Sequence, residues 1–125
     1  REITVGVLNN QICGVTEILP EKKFYDYESK YINVAKHQQN PALPKKILDG
    51  LLSATLLAHN TLKCNSISRC DFRFNEKNNK FYLLEINTQP GLTKNSLLPE
   101  MAETIGINFS KLCEIIIGSA KCEDF

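Results

Sequence analysis

Residues 66–87 read SISRCDFRFNEKNNKFYLLEIN, and this stretch decides the fold prediction. Two runs rich in apolar and aromatic side chains, 66–75 and 80–87, flank the polar segment 76–79, which has the composition of a hairpin loop. We therefore predict an antiparallel β-hairpin. Side chains alternate across a strand, so the first strand has one apolar face and one charged face, formed by Cys70, Phe72 and Phe74 and by Arg69, Asp71 and Arg73.

The charged face of this hairpin predicts a metal–phosphate site. With the hairpin centred on Asn78, Asp71 lies opposite Glu85 and Arg69 opposite Asn87. Opposed residues are about 5 Å apart at Cβ, and two carboxylates that close repel each other unless a cation lies between them. Mg²⁺ prefers such oxygen ligands, takes one or two carboxylates, and completes its shell with substrate phosphates. Arg69 adds a planar donor fork for a phosphate or an oxyanion.

The same register builds the apolar face of the hairpin, with Phe72 opposite Leu84 and Cys70 opposite Ile86. This register is an assumption, because a slip of one residue would exchange the two faces. On residue types alone, an ordinary surface hairpin with scattered charges is the alternative interpretation.

A second hairpin is predicted at the start of the chain. Residues 3–8 and 12–19 are rich in β-branched and apolar side chains. Asn9 and Asn10 lie between them, and Asn tolerates the positive φ angles of a tight turn.

Three helices are predicted from apolar spacing and punctuation. The first begins after Pro44, which suits a first helical turn, and ends near Asn65. A short helix follows Pro99 and ends at Gly106, and a last helix begins at about residue 109. Helices combined with two antiparallel hairpins predict an α+β fold.

Two loops complete the prediction. Residues 24–43 are polar and aromatic and show no clear period, which predicts a long, mobile loop, and loops of that length are often functional. Residues 88–98 form the other loop, with a turn at Pro90-Gly91.

Composition narrows the class of protein. The 125 residues have a net charge of +1 and are 42% hydrophobic, so they can form a core and give no electrostatic reason to expect nucleic acid or a membrane as partner. Apolar runs are far too short to span a bilayer. Five cysteines without CxxC spacing predict reduced thiols and a cytoplasmic location rather than a disulfide or zinc scaffold.

Four linear motifs resemble one family. Residues 68–72 (SRCDF) and 82–97 (YLLEINTQPGLTKNSL) resemble the closing signature of D-alanine–D-alanine ligases of the ATP-grasp superfamily. Residues 24–31 (FYDYESKY) resemble that family's mobile loop, and residues 1–5 (REITV) resemble the strand that opens the second half of its ATP site. The resemblance covers essentially the whole chain, with the motifs in the family's order. It implies the C-terminal part of an ATP-grasp domain over residues 1–125.

The resemblance implies a role for each residue of the charged face. Asp71 and Glu85 would hold one Mg²⁺ or Mn²⁺ ion, and Glu85 and Asn87 a second, with Glu85 bridging the two ions beside the nucleotide. Two ions would neutralise the phosphates of ATP. Arg69 and the backbone N–H of Gly91 would stabilise the oxyanion of a tetrahedral intermediate.

Other implied roles concern ATP and the lid. Lys30 would contact the phosphates when the loop closes, and Tyr31 would help to seal the substrate site. Phe24 would pack near the adenine, and Glu2 would accept hydrogen bonds from the ribose hydroxyls.

The resemblance also implies a reaction. The carboxylate of one D-alanine takes the γ-phosphoryl group of ATP, and the amine of a second D-alanine then displaces phosphate from the acyl phosphate, giving a dipeptide for peptidoglycan. Ser96 and the N–H of Leu97 would bind the carboxylate of the second D-alanine. Because acyl phosphates hydrolyse readily, the site needs a lid that excludes water.

The family pattern is incomplete in this sequence. The substrate-binding N-terminal domain and the first half of the ATP site are missing, so we expect the 125 residues alone not to ligate. The resemblance also implies that the full enzyme is a homodimer. Two alternatives stay open: another ATP-grasp carboxylate–amine ligase, or a catalytically silent module that binds nucleotide or a partner protein.

Overall fold

The computed structural model describes residues 1–20 and 35–122. Five strands and three helices follow in the order β1 (Glu2–Leu8), β2 (Gln11–Leu19), β3 (Lys36–Gln39), α1 (Lys45–Thr61), β4 (Ile67–Asn75), β5 (Lys80–Asn87), α2 (Leu97–Thr104) and α3 (Phe109–Ser119). The strands form one antiparallel sheet in the order β3-β2-β1-β4-β5. The predicted α+β fold is confirmed.

Both predicted hairpins are present. Asn9 and Asn10 have φ angles of 50° and 62° and join β1 to β2 through the pair Leu8↔Gln11. A four-residue loop joins β4 to β5, as the pairing Asn75↔Lys80 shows. Positive φ at both central positions matches the right-handed twist of the flanking strands, which explains the Asn-Asn turn.

The two faces of the sheet carry different helices. Ile47 and Leu51 of α1 pack with Ile3, Val5 and Phe72 on one face. On the opposite face, α2 and α3 cover one end of the sheet with Leu98, Met101, Ala102 and Leu112. The part of that second face beyond α2 carries the polar side chains of β1, β4 and β5.

Two glycines let α2 approach the sheet closely. Gly6 and Gly14 are direct partners on β1 and β2. A Cβ at Gly6 would lie 2.7 Å from Leu98 Cδ1, and a Cβ at Gly14 would lie 2.7 Å from Met101 Cβ. Both distances are shorter than ordinary van der Waals contacts. Helix α2 can therefore lie this close to the sheet only because both positions are glycine.

The structure corrects several predicted boundaries. The short helix begins at Leu97 rather than after Pro99, because Pro99 occupies the first turn, where its missing N–H is not needed. The first helix ends at Thr61 instead of near Asn65. Strand β3 lies inside the segment 24–43 that was predicted to be irregular; residues 24–34 of that loop lie outside the described residues.

The described ranges contain neither a membrane-spanning helix nor a disulfide. Across residues 1–20 and 35–122, no helix is long and apolar enough to cross a bilayer. All five cysteines fall in these ranges and are free thiols. Burial raises the pKa of Cys13 to about 12 and that of Cys70 to about 11, so neither thiol forms the nucleophilic thiolate readily.

Candidate active site

Asp71 is the centre of the polar face. Arg69 donates two hydrogen bonds to its carboxylate, from Nε to Oδ1 at 2.9 Å and from Nη2 to Oδ2 at 2.8 Å. Thr4 of β1 donates from Oγ1 to the same Oδ1 at 2.6 Å. Only 16% of the Arg69 side chain and 17% of the Asp71 side chain are exposed. The carboxylate is therefore held by donors on two neighbouring strands.

The Arg69 guanidinium interacts with two carboxylates. The hydrogen bond to Asp71 raises the pKa of Arg69, against the opposing effect of burial, and the charge of Glu85 raises it further. The influence of Glu85 on Arg69 shows that both carboxylates act on one guanidinium. Among the described residues Arg69 donates to Asp71 alone, through two of its N–H groups, and its other N–H groups can bind an anionic ligand.

Glu85 and Asn87 lie where the charged-face register predicted. Asp71 pairs with Glu85, and Arg69 pairs with Asn87. Glu85 is exposed. The Oδ1 atom of Asn87 accepts a hydrogen bond from the backbone N–H of Gln89 at 3.0 Å, which fixes the amide at the end of β5.

The apolar-face register was only partly right. Cys70 pairs with Ile86 as predicted, but Phe72 pairs with Leu83 and not with Leu84. A register shift between Asp71 and Phe72 leaves Leu84 as the extra residue of a β-bulge, and Leu84 is 59% exposed. Strict alternation from Glu85 would put Phe81 on the charged face, but it makes an edge-to-face contact with Phe72 at 5.9 Å between ring centroids. Because of the bulge, Phe81 and Leu83 share the face of Phe72, and the first half of β5 has the opposite alternation from that expected from Glu85.

The donor set of this face fits a divalent cation. Across the described ranges, no group of three or more His, Cys, Asp or Glu side chains has metal-binding geometry. Two opposed carboxylates with one amide oxygen are nevertheless what Mg²⁺ uses when substrate phosphates complete its shell. Arg69 and Thr4 together use three of the about four acceptor sites of the Asp71 carboxylate, so one site on Oδ2 is left for a cation.

Glu2 lies on the same face, further along β1. It pairs with Arg73 across the β1–β4 interface and is 3.6 Å from the Arg73 guanidinium, with 45% of its side chain exposed. The structure does not bring Glu2 into contact with Asp71. It stands two residues from Thr4, at the edge of the polar face.

Gly91 and Ser96 meet in the loop before α2. A Cβ on Gly91 would lie 3.0 Å from Ser96 Oγ. Ser96 is the N-cap residue of α2, yet its hydroxyl makes no capping bond; it accepts from the Thr93 N–H at 3.1 Å and lies 2.7 Å from Thr93 Oγ1. The first N–H groups of α2 are left without a side-chain cap, which suits an anion.

A cavity of about 760 Å³ lies between β3 and α2, and Asn95, the neighbour of Ser96, lines it. His37 Nδ1 is 2.6 Å from Glu100 Oε2 across this cavity wall. Gln39 Nε2 reaches the same oxygen at 3.4 Å. The residue just before the N-cap of α2 therefore borders an open depression that α2 forms with β3.

Three predicted residues cannot be placed: Phe24, Lys30 and Tyr31 lie outside the described residues. The sequence interpretation also missed Thr4 and the His37–Glu100 pair. The contact of Thr4 with Asp71 could not be predicted because the two residues are 67 positions apart. No local sequence pattern predicts the pairing of β1 with β4. His37 lies on β3, which was not predicted, so its contact with Glu100 was missed.

Comparisons with known proteins agree with this geometry. The family described as "D-ala D-ala ligase C-terminus" matches residues 1–118. The D-alanine–D-alanine ligase of Pelagibacter ubique is 48% identical over 122 residues, which is 96% of this chain and 40% of the relative. The chain thus spans about 40% of the length of that curated relative.

Solved structures give the same result. The D-alanine–D-alanine ligase of Bacillus anthracis complexed with ATP aligns with a TM-score of 0.77 at 31% identity, covering 94% of this chain and 38% of that one. The VanG D-Ala:D-Ser ligase of Enterococcus faecalis aligns with a TM-score of 0.70 at 26% identity, covering 94% and 35%. The five-stranded antiparallel sheet with its three helices is the fold of the C-terminal region of these ligases, and the chain belongs to the D-alanine–D-alanine ligase family.

Proposed function

We propose that the full-length gene product is an ATP-dependent D-alanine–D-alanine ligase that supplies the dipeptide of peptidoglycan. One observation carries the proposal: Asp71, held by Arg69 and Thr4, pairs with Glu85, and Asn87 lies on the same face. Family membership over residues 1–118 supports the same activity.

The chemistry has two steps. A carboxylate oxygen of the first D-alanine forms a bond to the γ-phosphorus of ATP while the bond to the bridging oxygen breaks and ADP leaves. The amine of the second D-alanine then attacks the carbonyl carbon of the acyl phosphate, inorganic phosphate leaves, and the amine loses a proton. Both steps place negative charge on oxygens beside Arg69.

The residues of the polar face would divide the work. Asp71, Glu85 and Asn87 would hold two Mg²⁺ or Mn²⁺ ions. Bound ions would neutralise the phosphates of ATP. The free N–H groups of Arg69, with the backbone N–H of Gly91, would stabilise the oxyanion of the second step. This assignment is supported by the part-buried position of Arg69, since burial strengthens its interaction with an anion.

The amino-acid site would lie at the start of α2. We assign the carboxylate of the second D-alanine to the Ser96 hydroxyl and the N–H of Leu97, because the helix start has no side-chain cap and attracts anions. Ser96 must then exchange its contact with Thr93 for one with the substrate.

The nucleotide site would use Glu2 of β1 together with three residues of the segment 24–31. Glu2 would accept from the ribose hydroxyls; its exposed carboxylate on the polar face supports this. Phe24, Lys30 and Tyr31 keep their proposed roles at the adenine, at the phosphates and in the lid.

The proposal includes the setting of the enzyme. We place it in the cytoplasm, consistent with five free thiols. We also expect a homodimer, and we expect residues 1–125 alone to be inactive. A second candidate differs only in the second amino acid: the similarity to a D-Ala:D-Ser ligase makes D-serine the competing substrate.

The test uses the full-length gene product with ATP, Mg²⁺ and D-alanine, and follows both phosphate release and the dipeptide formed. Glu85→Gln removes a proposed ligand from an exposed position, so the fold should survive. A bound metal is worth several kcal/mol, so the rate should fall about 100-fold or more. Glu114→Gln, a carboxylate with 71% exposure on α3, is the matched control and should keep full activity.

Three outcomes would count against the proposal. Absence of D-alanyl-D-alanine with the wild-type protein would remove the ligase function. Nucleotide binding without phosphate release would favour the silent module. Preferential formation of D-alanyl-D-serine from equal D-alanine and D-serine would replace the second substrate.

A further inference from the structure

Thr4 is buried in the central strand, yet its hydroxyl faces a charged group. Its side chain has no exposed surface, and Oγ1 lies 2.6 Å from Asp71 Oδ1. Thr4 and Asp71 are direct partners in the β1–β4 pairing. Since a carboxylate can only accept, the threonine hydroxyl is the donor of this bond.

The remaining support for Asp71 comes from its own strand. Arg69, two residues away on β4, bonds both carboxylate oxygens. A donor on the same strand moves together with Asp71 whenever β4 shifts. Thr4 therefore supplies the one described contact that fixes this carboxylate relative to β1.

We propose that Thr4 is a positioning residue that orients the Asp71 carboxylate toward the divalent cation. The proposal rests on the assignment of Asp71 as a metal ligand under the proposed function. Its physical basis is that ligand carboxylates are held by hydrogen-bond donors outside the coordination shell, and that loss of such a donor typically weakens metal affinity.

The neighbouring strand offers a matched control. Thr16 is the direct partner of Thr4 on β2 and is equally buried. Its hydroxyl donates to Gln39 Oε1 at 2.7 Å rather than to a carboxylate. Threonine-to-valine changes at the two positions remove the same atom from the same face of the sheet, so general effects of a buried valine cancel in the comparison.

The experiment measures Mn²⁺ binding to the full-length gene product in the presence of ADP, by the electron paramagnetic resonance signal of free Mn²⁺. Thr4→Val should weaken Mn²⁺ binding about 10-fold or more. Thr4→Ser keeps the donor and should stay within about threefold of wild type, and Thr16→Val should bind Mn²⁺ like wild type. Thr4→Ser keeps the test informative if Thr4→Val fails to fold, because a serine that weakens binding as strongly as Asp71→Asn would overturn the proposal.

Failure of this inference is separable from failure of the proposed function. If the protein ligates D-alanine and Thr4→Val binds Mn²⁺ normally, Thr4 has no positioning role and the ligase assignment stands. If ligation is absent but Asp71→Asn and Thr4→Val both lose Mn²⁺ affinity, the positioning role stands and the reaction must be reassigned. Equal losses in Thr4→Val and Thr16→Val would show a general packing effect and refute the proposal.

Discussion

Replacing Gly14 with alanine should displace helix α2 from the sheet. The added Cβ would lie 2.7 Å from Met101 Cβ, 3.0 Å from its Cγ and 3.2 Å from its Cα. The Cα and Cβ atoms of Met101 are fixed by the helix backbone, so a rotamer change of Met101 cannot relieve the clash. The helix itself must move.

The magnitude follows from contact distances. Non-bonded carbons are most stable about 3.5–4.0 Å apart, so α2 must withdraw by about 1 Å, and gaps of that size forfeit a quarter to a half of each dispersion contact. Overpacked substitutions cost about 1–3 kcal/mol, and we expect the upper part of this range because Leu98, Met101 and Ala102 are all fully buried. The lower chain entropy of alanine offsets about 0.5–1 kcal/mol, leaving a net loss of about 2 kcal/mol.

Hydrogen exchange of the full-length gene product measures this loss of stability in the individual peptides of the chain. A change of about 2 kcal/mol corresponds to about 30-fold faster exchange in peptides covering β2 and α2. Gly118→Ala is the control, since nothing lies within 4 Å of a Cβ there, and it should leave these peptides unchanged. Exchange of the Gly14→Ala protein within about twofold of wild type would refute the reasoning.

Three further predictions concern other parts of the fold. Burial lowers the pKa of His59 below its ordinary value of 6.5, so the unfolded chain takes up a proton at a higher pH than the native chain does. The free energy of unfolding should therefore fall as the pH drops below about 6.5, by up to about 1.4 kcal/mol per pH unit. His59→Gln should flatten that slope in urea titrations at several pH values; an unchanged slope would assign it to other groups. Gly91→Ala forces the hydroxyl of Ser96 out of place and should raise the KM for the second D-alanine about two- to tenfold, whereas an unchanged KM would separate Ser96 from substrate binding. Alanine at His37 and Glu100, singly and together, should give a coupling energy of about 1 kcal/mol in denaturation experiments, and additive losses would show that the 2.6 Å contact contributes nothing to stability.

The charged face could be predicted because its information is local. Asp71, Glu85 and Asn87 lie on strands joined by a short loop. The loop pairs Asn75 with Lys80, one residue away from the register centred on Asn78, and the β-bulge brings the charged face back to the predicted pairing. The register from Arg69↔Asn87 to Asp71↔Glu85 is as predicted. Beyond Asp71, the bulge at Leu84 shifts it by one residue. The residue types in 80–87 do not predict a bulge, since neither Gly nor Pro occurs there.

Features that depend on distant partners could not be predicted. Strand β3 has the sequence KHQQ and becomes a strand by pairing with β2, not through any apolar alternation of its own. The contact of Thr4 with Asp71 depends on the alignment of β1 with β4. The start of α2 at Leu97 was missed because Pro99 fits anywhere in the first helical turn and does not by itself mark the first residue.

The order of the strands determines when the site can form during folding. The β1–β2 and β4–β5 hairpins are local, and such units form in about 1–10 μs. Joining them along β1 and β4 closes a long chain segment that includes α1, and this non-local pairing is the slower event. Asp71 and Glu85 come together within one hairpin, whereas the hydroxyl of Thr4 arrives with the other. The contact that orients Asp71 therefore exists only when the two hairpins have paired along β1 and β4.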